Sequence, residues 1–177
     1  GALQKRRGNS QRAPAATAAG GQGPWNQNKG AARLAASGAP VNYAEFTFYA
    51  EAGRAYHVWM RGKADSNAWP NDSAYLQFSG TVDATGMPTY RIGTTSYTWY
   101  SLEEDSSVGV SGWGWQDNGY GMGVAGQDLY FEQTGLQTIR VQQREDGLSI
   151  DQIVISPLRY LTASPGVTKN DTTIIAR

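Results

Sequence analysis

Two neighbouring stretches decide the fold: Tyr43-Ala44-Glu45-Phe46-Thr47-Phe48-Tyr49-Ala50 and Ala55-Tyr56-His57-Val58-Trp59-Met60-Arg61. Both are rich in aromatic side chains, which suit a pleated and half-buried surface. In the second, Tyr56, Val58 and Met60 share one face, while His57, Trp59 and Arg61 share the other. The four residues between them, Glu51-Ala52-Gly53-Arg54, read as a turn.

Working outward, the same texture recurs in short pieces. Ser73–Ser79 places Ala74, Leu76 and Phe78 on one face, and Thr89–Ile92 and Ser96–Leu102 read as further strands. Leu129–Phe131, Gln137–Gln143 and Ser149–Ser156 complete the set, with Ile139 and Val141 alternating against Thr138, Arg140 and Gln142. The Gly- and Trp-rich stretch from Val108 to Gly126 reads as loop. No segment of the body sustains a period of 3.6 residues, and no repeat of 20–50 residues is visible. Many short strands separated by turn residues predict an all-β chain, a sandwich of two antiparallel sheets of the jelly-roll kind with almost no helix.

The first forty residues differ. They hold six basic residues (Lys5, Arg6, Arg7, Arg12, Lys29 and Arg33) and no acidic one, against nine basic and fifteen acidic residues in 41–177. Their Ala- and Gly-rich composition shows no strand alternation and offers little to bury. The expected organisation is a basic, extended segment over 1–40 and a β-sandwich domain over 41–177. The segment is expected to lie along a protein surface, that of its own body or of the next subunit. Arg6, Arg7 and Arg12 would then face acidic residues, and residues near Gly1–Arg12 could equally form the first strand of the sandwich. A contact between unlike surfaces of successive copies repeats without closing, so a filament subunit is the alternative reading of the chain.

Composition removes several classes. The chain has no cysteine, which excludes a disulfide-stapled scaffold and a thiolate metal site. No run approaches the roughly 20 apolar residues of a membrane-spanning helix. An acidic body argues against a nucleic-acid surface. Catalytic signatures are absent: histidine occurs once, at His57 in mid-strand, and neither a G-x-S-x-G elbow nor an H-E-x-x-H pair is present. Gly119–Val124 is glycine-rich but lacks the Gly-Lys-Ser/Thr of a phosphate loop. Glu103, Glu104 and Asp105 are adjacent, so on a strand they would point to opposite faces and make a poor acid/base pair. The chain therefore reads as non-catalytic.

Sugar chemistry fits better. A pyranose ring has a face of C–H groups and a rim of hydroxyls, which calls for a flat aromatic platform with converging polar groups. Ser111-Gly112-Trp113-Gly114-Trp115-Gln116-Asp117-Asn118-Gly119-Tyr120-Gly121 supplies both. Trp113, Trp115 and Tyr120 are the expected platform, with Asp117 and Asn118 as polar contacts. The loop Lys63–Asp72 repeats the recipe with Asp65, Asn67, Trp69, Asn71 and Asp72, of which Trp69, Asn71 and Asp72 are the expected contacts.

The segment Arg144-Glu145-Asp146-Gly147-Leu148-Ser149-Ile150-Asp151-Gln152-Ile153-Val154-Ile155-Ser156-Pro157 resembles the closing strand of the carbohydrate-binding modules of families six and thirty-five and the malectin-like group. With Tyr56–Lys63, Asn71-Asp72-Ser73, Trp113–Gly121 and Tyr160–Gly166, the likeness runs over roughly residues 41–175. It implies a β-jelly roll of a bacterial extracellular protein, secreted or at the cell surface. The ligand, a polysaccharide or glycan, would sit in a cleft at the loop end. The resemblance also implies a structural Ca²⁺, for which Asp151 matches the aspartate of the closing strand and Glu45 and Asp146 are the candidate partners. Two positions depart from the pattern. Ser149 stands where many such modules carry a sugar-binding asparagine, and Gly1–Arg12 has no match to the acidic calcium ligands near the first strand.

Overall fold

The computed structural model describes residues 30–102, 109–120 and 124–166, together with the backbone of three strands in the first 29 residues. Among the described residues twelve strands run in chain order: β1 (Lys5–Arg7), β2 (Ser10–Pro14), β3 (Gln22–Asn26), β4 (Tyr43–Ala50), β5 (His57–Ala64), β6 (Ser73–Phe78), β7 (Thr81–Val82), β8 (Thr98–Ser101), β9 (Gly114–Asp117), β10 (Tyr130–Phe131), β11 (Gly135–Gln143) and β12 (Leu148–Ser156). They form two five-stranded antiparallel sheets, β1-β4-β11-β6-β8 and β2-β3-β12-β5-β9, with β7 and β10 as a separate pair. The chain passes from one sheet to the other between β1 and β2, β3 and β4, β4 and β5, β5 and β6, β8 and β9, β9 and β11 (by way of β10), and β11 and β12. This is the jelly roll expected from the alternation. Helix among the described residues is confined to single 3-10 turns at Asp65–Asn67 and Trp69–Asn71.

The core lies between the sheets. β5 contributes Val58 and Met60, β6 contributes Leu76 and Phe78, and β11 contributes Ile139. Phe131 sits among them and meets Phe48, Tyr56 and Phe78 edge-on, at centroid distances of 5.5, 5.6 and 6.3 Å. Tyr100 spans the sandwich: its hydroxyl donates to the Met60 carbonyl of the opposite sheet at 3.2 Å. That crossing needs Gly62, because a Cβ there would meet the Tyr100 hydroxyl. Gly62→Ala is expected to cost about 1–3 kcal/mol, as for an overpacked core, and to lower the urea midpoint accordingly.

Two expectations change. Thr89–Ile92 is not a strand; Tyr90 adopts φ 49°, and Arg91 forms an isolated bridge with Phe78 of β6. Within the stretch read as loop, Gly114–Asp117 pairs with β5, since β5 offers an open edge to extended backbone whatever its composition. In the first forty residues three strands join the sheets. β1 pairs with β4, β2 with β3, and β3 with β12 through Ser149 and Trp25. The side chains of Arg6, Arg7 and Arg12 lie outside the described residues, as do Glu103, Glu104 and Asp105.

Residues 30–40 then cross the outer face of the β4-containing sheet. Gln142 accepts from the Ser37 N–H at 2.8 Å and donates to the Ser37 carbonyl at 3.0 Å. The Tyr75 hydroxyl donates to the Leu34 carbonyl at 2.9 Å. Gln77 donates to the carbonyls of Thr94 and Ser96. Gln77 and Gln142 are thus fully buried although they point away from the core. The crossing backbone is satisfied by the side chains of Gln142, Tyr75 and Asp146 and by one backbone bond from Leu34 to the Arg144 carbonyl.

Candidate functional site

The residues expected to form one aromatic platform are divided between the two faces of the sandwich. β9 is an edge strand, and Trp115 lies opposite Arg61 and Asp117 opposite Trp59, so these side chains share the outer face of the β5-containing sheet. Trp113 belongs with them, its ring centroid 5.2 Å from the Arg61 guanidinium. Beyond Asp117 the chain turns round the edge of the sandwich. Tyr120 therefore meets Trp99 of β8, in the other sheet, with centroids 5.5 Å apart.

Asp117 and Asn118 hold the backbone of the loop that follows β9. The Asp117 carboxylate accepts the N–H groups of Gly119 and Gly126, both at 2.8 Å, and its Oδ2 lies 2.8 Å from His57 Nε2. Asn118 donates to the Gln127 carbonyl at 3.0 Å and to the Thr98 hydroxyl. Both are almost completely buried. A Cβ at Gly119 would collide with the Val124 carbonyl, and one at Gly126 with Asn118, so the two arms of this loop approach closer than side chains permit.

His57 also faces Asp128, with Nδ1 to Oδ1 at 3.1 Å. Burial alone would lower its pKa, but the hydrogen bonds and charges of Asp117 and Asp128 outweigh it and raise the value above the ordinary range. Asp117 is the converse: burial pushes its carboxyl up, while His57 and the two glycine N–H groups bring it below the ordinary range. Both ring nitrogens of His57 face carboxylates, which leaves neither to activate a nucleophile. Beside this pair lies a cleft of about 160 Å³, lined by His57, Trp59, Gln116, Asp117, Val124 and Leu161. It is smaller than the roughly 300–1,000 Å³ of typical ligand pockets.

The larger aromatic assembly lies at the end of the other sheet. Tyr75 stands opposite Trp99 in the β6–β8 pair, and Tyr97 packs against both, at 4.3 Å from Tyr75 and 5.1 Å from Trp99. The Arg144 guanidinium lies 4.8 Å from the Trp99 centroid and pairs with Glu145. Glu145 also takes Arg33 at 2.8 Å, and Arg33 lies over Trp69 at 5.8 Å. An unbroken run of contacts therefore links Trp69, Arg33, Glu145, Arg144, Trp99 and Tyr120. At its two ends Trp69 is 53% exposed and Tyr120 65%. Pro70 fixes the turn that presents Trp69, and Asn67 ties that loop to the Gly112 N–H at 2.8 Å.

Asn71 and Asp72 lie beneath this assembly. Asn71 donates to the Asp65 carbonyl, while buried Asp72 accepts from the Ser101 hydroxyl and gives its N–H to Glu145. Arg33, Trp99 and Arg144 were not singled out by sequence. The available signal was alternation: Tyr75 occupies the face opposite Ala74 and Leu76, and Tyr97 and Trp99 repeat two residues apart.

The three carboxylates expected at a calcium ion each hold a different partner. Asp151 pairs with Arg61, Glu45 receives Arg140 at 2.7–2.8 Å, and Asp146 accepts the Ala31 N–H at 2.8 Å. Among the described residues no three His, Asp or Glu side chains group as an ion site.

No family model and no curated protein matches the chain. Solved structures similar to it include a family 35 carbohydrate-binding module from Clostridium thermocellum, with 16% identity, 86% of this chain and 91% of that chain covered, and a TM-score of 0.44. Another is the GH26-CBM35 β-(1,4)-mannanase of Podospora anserina, at 12% identity over 90% of this chain and 28% of that one, TM-score 0.42. A third is the isomalto-dextranase of Arthrobacter globiformis T6 in complex with panose, at 11% identity over 88% of this chain and 23% of that one, TM-score 0.35.

Proposed function

We propose that the chain is a non-catalytic carbohydrate-binding module, acting on polysaccharide outside the cell, and that the Trp69–Trp99–Tyr120 surface is its ligand platform. The observation that carries this reading is the exposure of Trp69 and Tyr120 at the two ends of one run of contacts, with Arg33, Glu145 and Arg144 between them. Exposed ring faces held by loops and cations suit the C–H face of a sugar, and guanidinium and carboxylate groups suit its hydroxyl rim. An extended row of rings is matched to a chain of sugar units better than to a single enclosed molecule.

The test is affinity electrophoresis against a panel of soluble polysaccharides, followed by titration of the best ligand. Tyr120→Ala and Trp69→Ala are each expected to weaken binding by about 1–3 kcal/mol, or roughly 5- to 150-fold, the value of one stacked ring. Their melting temperatures should match the parent, because both rings are exposed. Retardation by no polysaccharide would overturn the reading. Binding that is untouched in both variants would move the site elsewhere, with the Trp113–Trp115 face next in line.

A further inference from the structure

We propose that His57 is a positioning residue whose positive charge, acting through Asp117, fixes the placement of Tyr120. The inference deepens the proposed function, because Tyr120 is one end of the ligand platform.

The path is short. His57 Nε2 lies 2.8 Å from Asp117 Oδ2, and the same oxygen accepts the Gly126 N–H at 2.8 Å. Asp117 Oδ1 accepts the Gly119 N–H, also at 2.8 Å. One carboxylate thus clasps both arms at the base of the loop, and Tyr120 is the first residue beyond the clasp. The approach is close: a Cβ at Gly119 would meet the Val124 carbonyl, and one at Gly126 the side chain and backbone of Asn118, itself tied to Gln127 and Thr98. A change in how Asp117 is held therefore has little slack to absorb it.

The surroundings of His57 make its charge the variable. Asp117 faces it from β9 and Asp128 from the loop before β10. β12 presents Ser156 opposite it, and the segment after β12 presents Leu161 at the cleft. Among the described residues the charged groups facing the ring are therefore two carboxylates. An imidazolium donates to both; a neutral imidazole has one N–H and must leave one carboxylate without its donor. The sign follows. A histidine raised by its partners contributes fully below its ordinary value of about 6.5, and the contribution is lost as pH rises through the folded-state value. Asp117 works at the other end: with its pKa lowered, its clasp is lost as pH falls through that value. The clasp is thus complete in mildly acid solution.

The experiment follows His57, the Gly119 and Gly126 amides and the Tyr120 ring by NMR from pH 5.5 to 9, with polysaccharide affinity measured over the same range. The expected result is that the two amides and the Tyr120 ring follow the His57 titration curve, and that affinity falls roughly fivefold as His57 loses its proton, the difference between a charged and a neutral hydrogen bond. His57→Gln keeps a donor for Asp117 and carries no charge at any pH. Its affinity is expected to stay flat at the lower level. Tyr120 and glycine signals that ignore the His57 titration would overturn the proposal, and so would a pH profile unchanged in His57→Gln. The wild-type titration decides the matter even if that variant does not fold. Failure of every polysaccharide to bind would overturn the proposed function, while the Tyr120 signals would still judge this inference.

Discussion

Replacing Arg61 by alanine is expected to cost 3–5 kcal/mol of folding stability, the usual result of stripping one partner from a buried ion pair. The Asp151 side chain is 0% exposed and that of Arg61 11%. Asp151 sits where β12 shifts register against β5, between Ile150 and Gln152, and the irregularity directs its carboxylate to Arg61. Removal of the guanidinium leaves an anion where water cannot reach it, and also takes the cation from beside Trp113. Urea denaturation measures the loss, which should appear as a lower midpoint with an unchanged slope. The paired replacement Arg61→Met with Asp151→Leu should recover most of it, because two well-packed apolar groups need no solvation. A loss below about 1 kcal/mol would mean that the pair behaves as a surface salt bridge.

Phe131→Ala is expected to be comparably severe, at about 3–5 kcal/mol, from lost burial and the void left behind. The ring is 1% exposed and meets rings from three separate segments. Phe48 comes from β4, Phe78 from β6, and Tyr56 from just before β5, so both main sheets lose their shared contact. At a few degrees per kcal/mol for a chain of this size, the melting temperature should fall by roughly 10 °C. Phe131→Leu should cost about 1.5 kcal/mol or less, since it leaves most of the volume filled. Calorimetry separates the two outcomes.

The body of the fold was legible because alternation writes one face of each strand in apolar residues. Val58 and Met60, Leu76 and Phe78, and Ile139 and Val141 all lie inside, as their spacing implies. Alternation failed where the partner, not the strand, supplies the reason to pair. β1, β2 and β3 carry arginine, glycine and proline and form on edges that the body offers. β9 was hidden among glycines for the same cause. Thr89–Ile92 has strand composition in too short a run, and the backbone at Tyr90 turns left-handed.

The candidate site was less legible than the fold. Proximity in sequence suggested that Trp113, Trp115 and Tyr120 act together, but an edge strand followed by a turn sends its neighbours to opposite faces. The side chains that do meet come from residues 33, 69, 99, 120 and 144, five segments whose adjacency exists only once both sheets are assembled. His57 was recognised as a residue of the outer face. Its burial there depends on the loop after β9 and the segment after β12, which no local pattern reports.

The way the N-terminal segment is seated has a consequence for biosynthesis. Ala31 is held by Asp146, 115 residues further along, and Ser37 by Gln142, 105 further along. β3 waits on Ser149 for its partner in the sheet. A ribosome delivers such a segment more than 100 residues before its docking surface. Until residues 142–149 emerge the basic stretch has nowhere to dock, and its absence of acidic residues and scarcity of large apolar ones suits it to wait in water without aggregating. Contacts this distant in sequence close slowly, so this segment reaches its native place late although it is made before the strands that receive it.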